Sequence, residues 1–240
     1  MAGKLFIVPT PVGNLEDMTF RAIKVLQDAD FILAEDTRTS KKLLDHYDIK
    51  TPLRSHHKFN EHEKSSGICD EIEAGAVVAL VSDAGTPGIS DPGFFLSREC
   101  RRRGLDVECL PGATAFVPAL VSSGLPCDRF VFEGFLPPKK GRATRLTELA
   151  AEMRTVIIYE SPKRLLKTLV QLAGYFGKER EAAVCREISK LHETIHKGKL
   201  SDLINYFSSN QIKGEIVIVL EGTGKPNRKK DSIPDSPETE

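Results

Sequence analysis

The sequence of 240 residues lacks an excess of charge of either sign and lacks any long apolar run. Lys plus Arg and Asp plus Glu number 34 each, so the chain has no overall cationic field for a nucleic acid, and contact with one requires a local patch. The first apolar run, residues 5–8, is too short for a signal sequence and for a membrane span. We therefore expect a cytoplasmic protein with no membrane partner.

Cysteine pairs and metal-binding spacings are also missing. The five cysteines are odd in number and include no Cys-x-x-Cys pair, which argues against a disulfide framework and against a zinc site. The six histidines do not form a metal-ligand spacing with acidic residues. We expect reduced, mostly buried thiols and no bound metal.

Short apolar runs alternate with helical patterns through the first half of the chain, which predicts a mostly parallel sheet covered by helices. These runs lie at residues 5–8, 31–34, 77–81 and 107–110. The second half has further runs, with strand-like segments following one another around residues 187–196, which suggests a second sheet with antiparallel members. Its runs lie at residues 130–135, 155–159, 182–188 and 215–220.

We therefore predict a two-domain α/β protein. The first domain covers residues 1–115 and the second covers residues 116–224. Residues 225–240 are charged and proline-rich with almost no apolar side chains, so they cannot offset the entropy of ordering. We predict that this tail is disordered.

The most unusual segment is residues 82–93, which read SDAGTPGISDPG. Glycine lets the backbone approach a ligand, proline fixes a loop, and a carboxylate at a strand end can accept hydrogen bonds from ligand groups. Connections of this length in compact domains are usually functional. The segment predicts a ligand-binding loop; the alternative is a long connection in which Asp91 only caps the next helix.

The segments that follow other strands are weaker candidates for ligand binding. Residues 8–15 follow the first strand but lack the Gly-x-Gly-x-x-Gly spacing of a dinucleotide site, and a plain strand-to-helix turn explains them about as well. Residues 111–115, taken alone, are better explained as a turn and helix N-cap. Charged groups at residues 34–38 and 159–164 could face a cleft or cap helices through Asp36 or Ser161. Residues 186–193 alternate charged and apolar side chains, as a half-exposed strand does, and residues 137–145 form a basic stretch suited to phosphate contact.

Eight segments in this order resemble the ribosomal RNA small subunit methyltransferase I family, the 2′-O-ribose methylases of a cytidine in the decoding region, within the tetrapyrrole methylase superfamily. They are TPVGNL (residues 10–15), AEDTR (34–38), FNEH (59–62), SDAGTPGISDPG (82–93), PGATA (111–115), FEGFLP (132–137), YESPKRL (159–165) and GEIVIVLEG (214–222). The match covers residues 4 to 222. Members of the family commonly continue into a helical C-terminal extension, which the polar tail of this chain does not match.

The resemblance implies a class III methyltransferase that binds S-adenosylmethionine (SAM) between two α/β domains, usually as a homodimer, and acts on 16S ribosomal RNA within the 30S subunit. By matched position, SAM contacts are expected from Pro11, Val12, Asp83, Gly85, Thr86, Pro87, Ile89, Ser90, Ala113 and Thr114. Further contributions are expected near Phe135, Tyr159 and Glu160 and from the last strand.

Methyl transfer to a 2′-hydroxyl needs a group that accepts the hydroxyl proton. The candidates are the strand-end carboxylates Glu35, Asp36, Glu160 and Glu187. The candidates for RNA contact are Arg38, Lys139, Lys140, Arg142, Arg186 and Lys190.

Two other functions fit the same sequence. One is SAM-dependent methylation of a small tetrapyrrole-like acceptor, which apolar cavity walls would favour, whereas a basic open cleft favours RNA. The other is a non-catalytic module that senses SAM or binds ribosomal subunits.

Overall fold

A computed structural model describes residues 3–57, 61–210 and 213–224, apart from the side chains of residues 62 and 63. The tail predicted to be disordered, residues 225–240, lies outside the described residues, as does most of the FNEH segment. Within the described part, no helix is long and apolar enough to cross a membrane.

The first sheet is wholly parallel, with strand order β3-β2-β4-β1-β5. Parallel pairing requires crossover connections, which here contain helices. All five strands therefore end at one edge of the sheet, where the connecting loops gather. The strands are β1 (Lys4–Ile7), β2 (Phe31–Ala34), β3 (Leu53–Ser55), β4 (Val77–Val81) and β5 (Asp106–Cys109).

The second sheet is mixed, with strand order β6-β7-β10-β8-β9. The first pair is parallel and the remaining pairs are antiparallel. As a result, β6, β7 and β8 end at the same edge at which β10 begins. The strands are β6 (Phe130–Phe135), β7 (Thr155–Glu160), β8 (Glu181–Arg186), β9 (Thr194–Lys199) and β10 (Ile216–Leu220).

Helices cover both sheets and bury one apolar cluster on each face. The first sheet packs against α1 and α2 on one face and α3 and α4 on the other, and the second packs against α5 on one face and α6 to α8 on the other. The helices are α1 (Phe20–Asp28), α2 (Thr37–His46), α3 (Glu61–Glu73), α4 (Phe94–Arg102), α5 (Phe116–Ser122), α6 (Arg142–Ala150), α7 (Leu165–Phe176) and α8 (Leu200–Ser209).

The two-sheet α/β architecture predicted from the sequence is confirmed. The division of the chain at residue 115 stays a prediction, favoured by the packing of α5 on the second sheet. One expectation was wrong: residues 187–193 are a loop between β8 and β9, not a strand. Glu187 and Ser189 have positive φ angles of 53° and 64°, and this backbone conformation breaks the alternation on which the expectation rested.

Candidate active site

A cavity of about 400 Å³ lies where the carboxyl ends of the first sheet's strands face the second sheet. From the first sheet it is lined by the loops after β1, β2, β4 and β5, and from the second by the ends of β6 and β7, the loop after β8 and the start of β10. Ligands of α/β proteins bind outside the carboxyl ends of the strands. The volume lies within the range usual for small-molecule sites.

The ends of β2 and β4 are joined through their first loop residues. The carboxylate of Asp83 accepts a hydrogen bond from the backbone N–H of Asp36 at 3.2 Å, and the carboxylate of Glu35 is hydrogen-bonded to the backbone of Asp83. Burial raises the pKa of Glu35, and the neighbouring charge of Asp83 adds to the shift. Burial also raises the pKa of Asp83, although this residue is exposed to the cleft.

The long loop of residues 82–93 is held at three places. Thr10 and Gly85 exchange backbone hydrogen bonds of 2.9 Å, and the hydroxyl of Thr86 donates to the carbonyl of Ala113 at 3.0 Å. At its end, the buried carboxylate of Glu61 accepts from the backbone N–H groups of Gly93 and Phe95 at the start of α4. The loop is therefore tied to the loop after β1, to the loop after β5 and to α3.

Asp91 does not cap α4, because the N-cap residue is Gly93 and the carboxylate at that end comes from Glu61. Asp91 instead lines the cavity. Burial raises the pKa of Asp91 to about 7, with further contributions from the charges of Glu35, Asp83 and Glu215. A carboxyl group poised near neutral pH in a cleft can exchange protons during a reaction.

Most of the residues expected to contact SAM line this cavity. Those that line it are Val12, Asp83, Gly85, Thr86, Ile89, Ser90 and Thr114. Pro11, Pro87 and Ala113 do not line the cavity; Pro87 is buried and the carbonyl of Ala113 holds Thr86. The second sheet contributes Phe135, Tyr159 and Glu160, and β10 contributes Ile216 and Val217.

The structure separates the four carboxylates considered as proton acceptors. Glu35 lines the cavity. Asp36 is the N-cap of α2 and binds the guanidinium of Arg38, which holds the pKa of Asp36 well below its ordinary value. Such a group stays ionised and already has its partners, so Asp36 positions α2 and is unsuited to accept a proton.

Glu160 also has a structural environment. One of its carboxylate oxygens accepts from the backbone N–H of Ser161 and from Arg164, and the other accepts from the hydroxyl of Thr168. The guanidinium of Arg142 lies 3.9 Å away. Although Glu160 lies at the cavity wall, its lone pairs are occupied by the turn that leads into α7.

Glu187 is held by the loop that contains it. Burial by itself would raise the pKa of Glu187, but hydrogen bonds from the backbone N–H of Glu215 and from Lys190 outweigh it and hold the pKa below its ordinary value. Glu187 does not line the cavity. We therefore remove Asp36, Glu160 and Glu187 from the candidates for proton acceptor.

Three residues expected to contact RNA are engaged inside the protein. The guanidinium of Arg142 is buried and donates to Gln171, Thr168 and the carbonyl of Pro137. A buried guanidinium whose donors are occupied cannot reach a phosphate. The prediction that Arg142 of the basic stretch at residues 137–145 contacts RNA was therefore wrong.

Arg186 and Lys190 hold the loop after β8. Arg186 donates to the backbone carbonyls of Lys213 and His192, and Lys190 binds Glu187 at 3.0 Å and Glu215 at 3.1 Å. Their intramolecular partners make them parts of the scaffold rather than free cations.

Lys139 and Lys140 are exposed. Arg38 also has a partner, Asp36, but 88% of its side chain is exposed, so it stays a candidate. Arg38 follows β2, whose loop lines the cavity, and the two lysines follow β6. The exposed Lys163 follows β7, the neighbour of β6, and is adjacent to the cavity residues Ser161 and Pro162. Lys163 lies in the YESPKRL segment, but the sequence alone did not indicate it as an RNA contact. The parallel pairing of β6 and β7 makes it a candidate, because it places Lys163 at the same sheet edge as Lys139 and Lys140.

Within the described ranges, no group of three or more His, Cys, Asp or Glu side chains is placed to hold a metal. The cavity suits an organic cation with polar and apolar parts. It offers carboxylates at Glu35, Asp83 and Asp91 and apolar walls at Val12 and Ile188. Gly85, at φ 77°, brings its backbone to the wall. SAM has this combination of groups, with a charged sulphur, a ribose and an adenine ring.

Solved methyltransferases share the fold. Cobalt precorrin-4 methyltransferase gives a TM-score of 0.67 at 20% identity over 91% of this chain and 94% of that one. Uroporphyrin-III C-methyltransferase from Thermus thermophilus, solved complexed with S-adenyl homocysteine, gives 0.64 at 19% identity over 91% and 97%. Diphthine synthase gives 0.72 at 13% identity over 91% and 90%. Together with the cleft, this fold defines a class III methyltransferase.

The family model of Tetrapyrrole (Corrin/Porphyrin) Methylases matches residues 4–204. Ribosomal RNA small subunit methyltransferase I of Synechocystis sp. is 49% identical over 227 residues, covering 94% of this chain and 81% of that protein. The protein of the same name from Thermotoga maritima is 46% identical over 220 residues, covering 92% and 99%. The chain belongs to the ribosomal RNA small subunit methyltransferase I family within the tetrapyrrole methylases. SAM as the methyl donor is thereby confirmed at the level of the family.

Proposed function

We propose that the protein methylates the 2′-hydroxyl of a cytidine in the decoding region of 16S ribosomal RNA, with SAM as methyl donor. One observation carries the proposal: in a chain of this family, the acidic cavity opens between strand ends that also bear exposed cations. The cavity accounts for a small cationic cofactor, and the cations account for an acceptor with phosphate groups.

SAM supplies an electrophilic methyl group on a positively charged sulphur. The residues proposed to hold it are those of the predicted set that line the cavity, with Asp83 as the hydrogen-bond acceptor. The backbone at Gly85 and Thr86 is fixed by the bonds to Thr10 and Ala113. Fixed positions of this kind reduce the entropy lost when two substrates are brought together.

We propose Asp91 as the group that accepts the proton of the 2′-hydroxyl while the new oxygen–carbon bond forms. It lines the cavity and, unlike Glu160, has no cationic partner among the described residues. Its pKa of about 7 is close to the value at which a base is both deprotonated and able to take up a proton. Glu35, the remaining candidate from the sequence, lies beside it and raises that pKa.

The proposed RNA surface consists of Arg38, Lys139, Lys140 and Lys163 around the mouth of the cavity. These side chains are exposed, and the two sheets present them from opposite sides of the cleft. Cations arranged in this way would hold phosphates on either side of a nucleotide whose ribose enters the cleft.

We further propose a homodimer that acts on the 30S subunit in the cytoplasm. One of the two edge strands of the second sheet is β6, where Phe130 is exposed, and Val117 and Val121 of α5 are also exposed. Phe116 of α5 contacts Phe130 at a centroid distance of 6.2 Å, which makes this surface continuous. An uncovered strand edge with apolar side chains is suited to a second copy of the chain.

The function is tested by incubating the purified protein with labelled SAM and, in parallel, unmethylated 30S subunits, free small-subunit RNA and a tetrapyrrole. We expect label in the RNA of the 30S subunit, mapped by primer extension to one cytidine ribose. Label in the tetrapyrrole alone would replace the proposed acceptor with a small molecule. SAM binding without transfer to any acceptor would instead support a non-catalytic module.

A further inference from the structure

In the described part of the chain, the charged side chains that line the cavity are all carboxylates. Its described lining includes five carboxylates and no Lys, Arg or His side chain. Two of the carboxylates have a cationic partner: Glu160 binds Arg164 at 2.8 Å and Glu215 binds Lys190 at 3.1 Å. The three that remain are Glu35, Asp83 and Asp91.

Asp91 is surrounded by groups that do not stabilise its negative charge. Glu35 faces it from the end of β2, Asp83 from the end of β4 and Glu215 from the start of β10, and each disfavours ionisation. The neutral phenol of Tyr159 is nearby on β7, with its pKa raised to about 12 chiefly by burial.

Three partners moderate this negative charge. The hydroxyl of Ser82, which donates to the backbone carbonyls of Ala84 and Gly85, lowers the pKa of Asp91. Arg38 acts on Asp83, and His57 acts on Glu35. The guanidinium of Arg38 therefore acts on a neighbour of Asp91, not on Asp91 itself.

We infer that the wall formed by Glu35, Asp83 and Asp91 distinguishes the two forms of the cofactor by charge, binding the sulfonium of SAM in preference to the neutral thioether of S-adenosylhomocysteine (SAH), and that Asp91 couples this preference to pH. The inference rests on the proposed placement of SAM in this cavity. It goes beyond the methylation reaction because it concerns how the product cofactor is released.

The physical basis is charge balance. A sulfonium beside ionised Asp91 forms a favourable charge pair, whereas the neutral thioether of SAH supplies no charge to pair with that carboxylate. After methyl transfer with proton uptake by Asp91, both the cofactor sulphur and the carboxyl group are neutral, so the attraction that held the cofactor is gone. If SAM lowers the pKa of Asp91 by about one unit, its affinity rises about tenfold as Asp91 ionises.

The test is calorimetric and needs no RNA. The binding of SAM and of SAH to the full chain is measured at pH 5.5 and pH 8, and near pH 7 in two buffers that differ in ionisation enthalpy. We expect the ratio of SAM to SAH affinity to rise about tenfold between the two pH values. SAM, but not SAH, should release protons on binding at pH 7.

Two variants make the outcome specific to Asp91. In Asp91→Asn the ratio should not change beyond what the ligands' own amino groups produce, whereas Asp91→Glu should keep a pH-dependent ratio. A ratio independent of pH in the unaltered protein would overturn the inference, as would an equal change in Asp91→Asn. If Asp91→Asn does not fold, the inference is tested by the proton release measured when SAM binds to the unaltered protein near pH 7.

Failure of the proposed function is a separate result. A protein that transfers no methyl group to RNA but shows the pH-dependent ratio would keep the inference and lose the acceptor. If the protein methylates RNA but its ratio of SAM to SAH affinity does not change with pH, the proposed function stands and the inference about charge-based cofactor selection is refuted.

Discussion

The carboxylate of Asp83 accepts a hydrogen bond from the backbone N–H of Asp36, so the residues that follow two neighbouring parallel strands are tied together across the cleft edge. Asp36 in turn caps α2 and binds Arg38. The same carboxylate therefore faces the cavity proposed to hold the cofactor and fixes the start of the helix that carries a proposed RNA contact. The proposed cofactor and acceptor sites are structurally linked at this position.

Replacement of Asp83 should remove the cofactor without unfolding the protein. In Asp83→Ala we expect SAM binding to become undetectable by calorimetry, because a charged acceptor in the cavity wall is lost. The far-ultraviolet circular dichroism should stay unchanged. Asp28→Ala is the matched control, since Asp28 ends α1 at the opposite edge of the first sheet; unchanged SAM affinity in Asp83→Ala would refute the site.

The rate of methyl transfer should depend on the ionisation of Asp91. Since a base must be deprotonated, single-turnover rates with saturating SAM should rise with pH along a limb at or below pH 7, because the sulfonium lowers the pKa of about 7. Asp91→Asn should lose at least about a hundredfold in rate with SAM still bound. If the rate of Asp91→Asn rises with pH in the same way as that of the unaltered protein, another group is responsible for the pH dependence. The pH dependence of Glu35→Gln then shows whether that group is Glu35.

The stability of the protein should also depend on the ionisation of Asp91, but it should decrease as the pH rises, whereas the methylation rate increases. The pKa of Asp91 is raised in the folded protein, so its contribution to stability is present below its ordinary pKa and is lost as pH rises through about 7. Asp91→Asn should therefore increase the melting temperature at pH 8 relative to the unaltered protein, by more than it does at pH 5. Equal differences at both pH values would contradict the assigned shift.

Charge reversal at the exposed lysines should weaken RNA binding alone. Lys139→Glu with Lys140→Glu should lower affinity for 30S RNA about tenfold or more and reduce its salt dependence, while SAM affinity stays unchanged. Lys178→Glu is the matched control because Lys178 precedes β8 and lies at the edge of the second sheet away from the cleft. Equal losses in both variants would mean that the lysines act only through net charge.

The buried Arg142 should act on stability rather than on RNA. Arg142→Ala removes the donors that reach Gln171, Thr168 and Pro137, and loss of one partner of a buried charged network costs about 3 kcal/mol. The melting temperature should fall by roughly 6–12 °C. Lys140→Ala should leave it unchanged, and a stable Arg142→Ala protein with weak RNA binding would restore the original interpretation.

The architecture was accessible from the sequence because it depends on local periodicity. Each strand of the first sheet except β3 was predicted within a residue or so, since buried parallel strands are continuous apolar runs. β3, residues 53–55 with the letters LRS, is too short and too polar to produce such a run. The loop of residues 82–93 was also recognised, because its glycines, prolines and aspartates are an unusual composition at a strand end.

The roles of individual charged residues were decided only by the tertiary structure. The sequence shows that Arg142 and Lys140 share a basic stretch, but only packing against α7 turns the guanidinium inward and leaves the lysine in water. Asp91 reads as a helix cap until Glu61, from a different helix, is seen to occupy that end of α4. Burial and the partners of a charge depend on residues distant in the chain, and these determine which carboxylate can take up a proton.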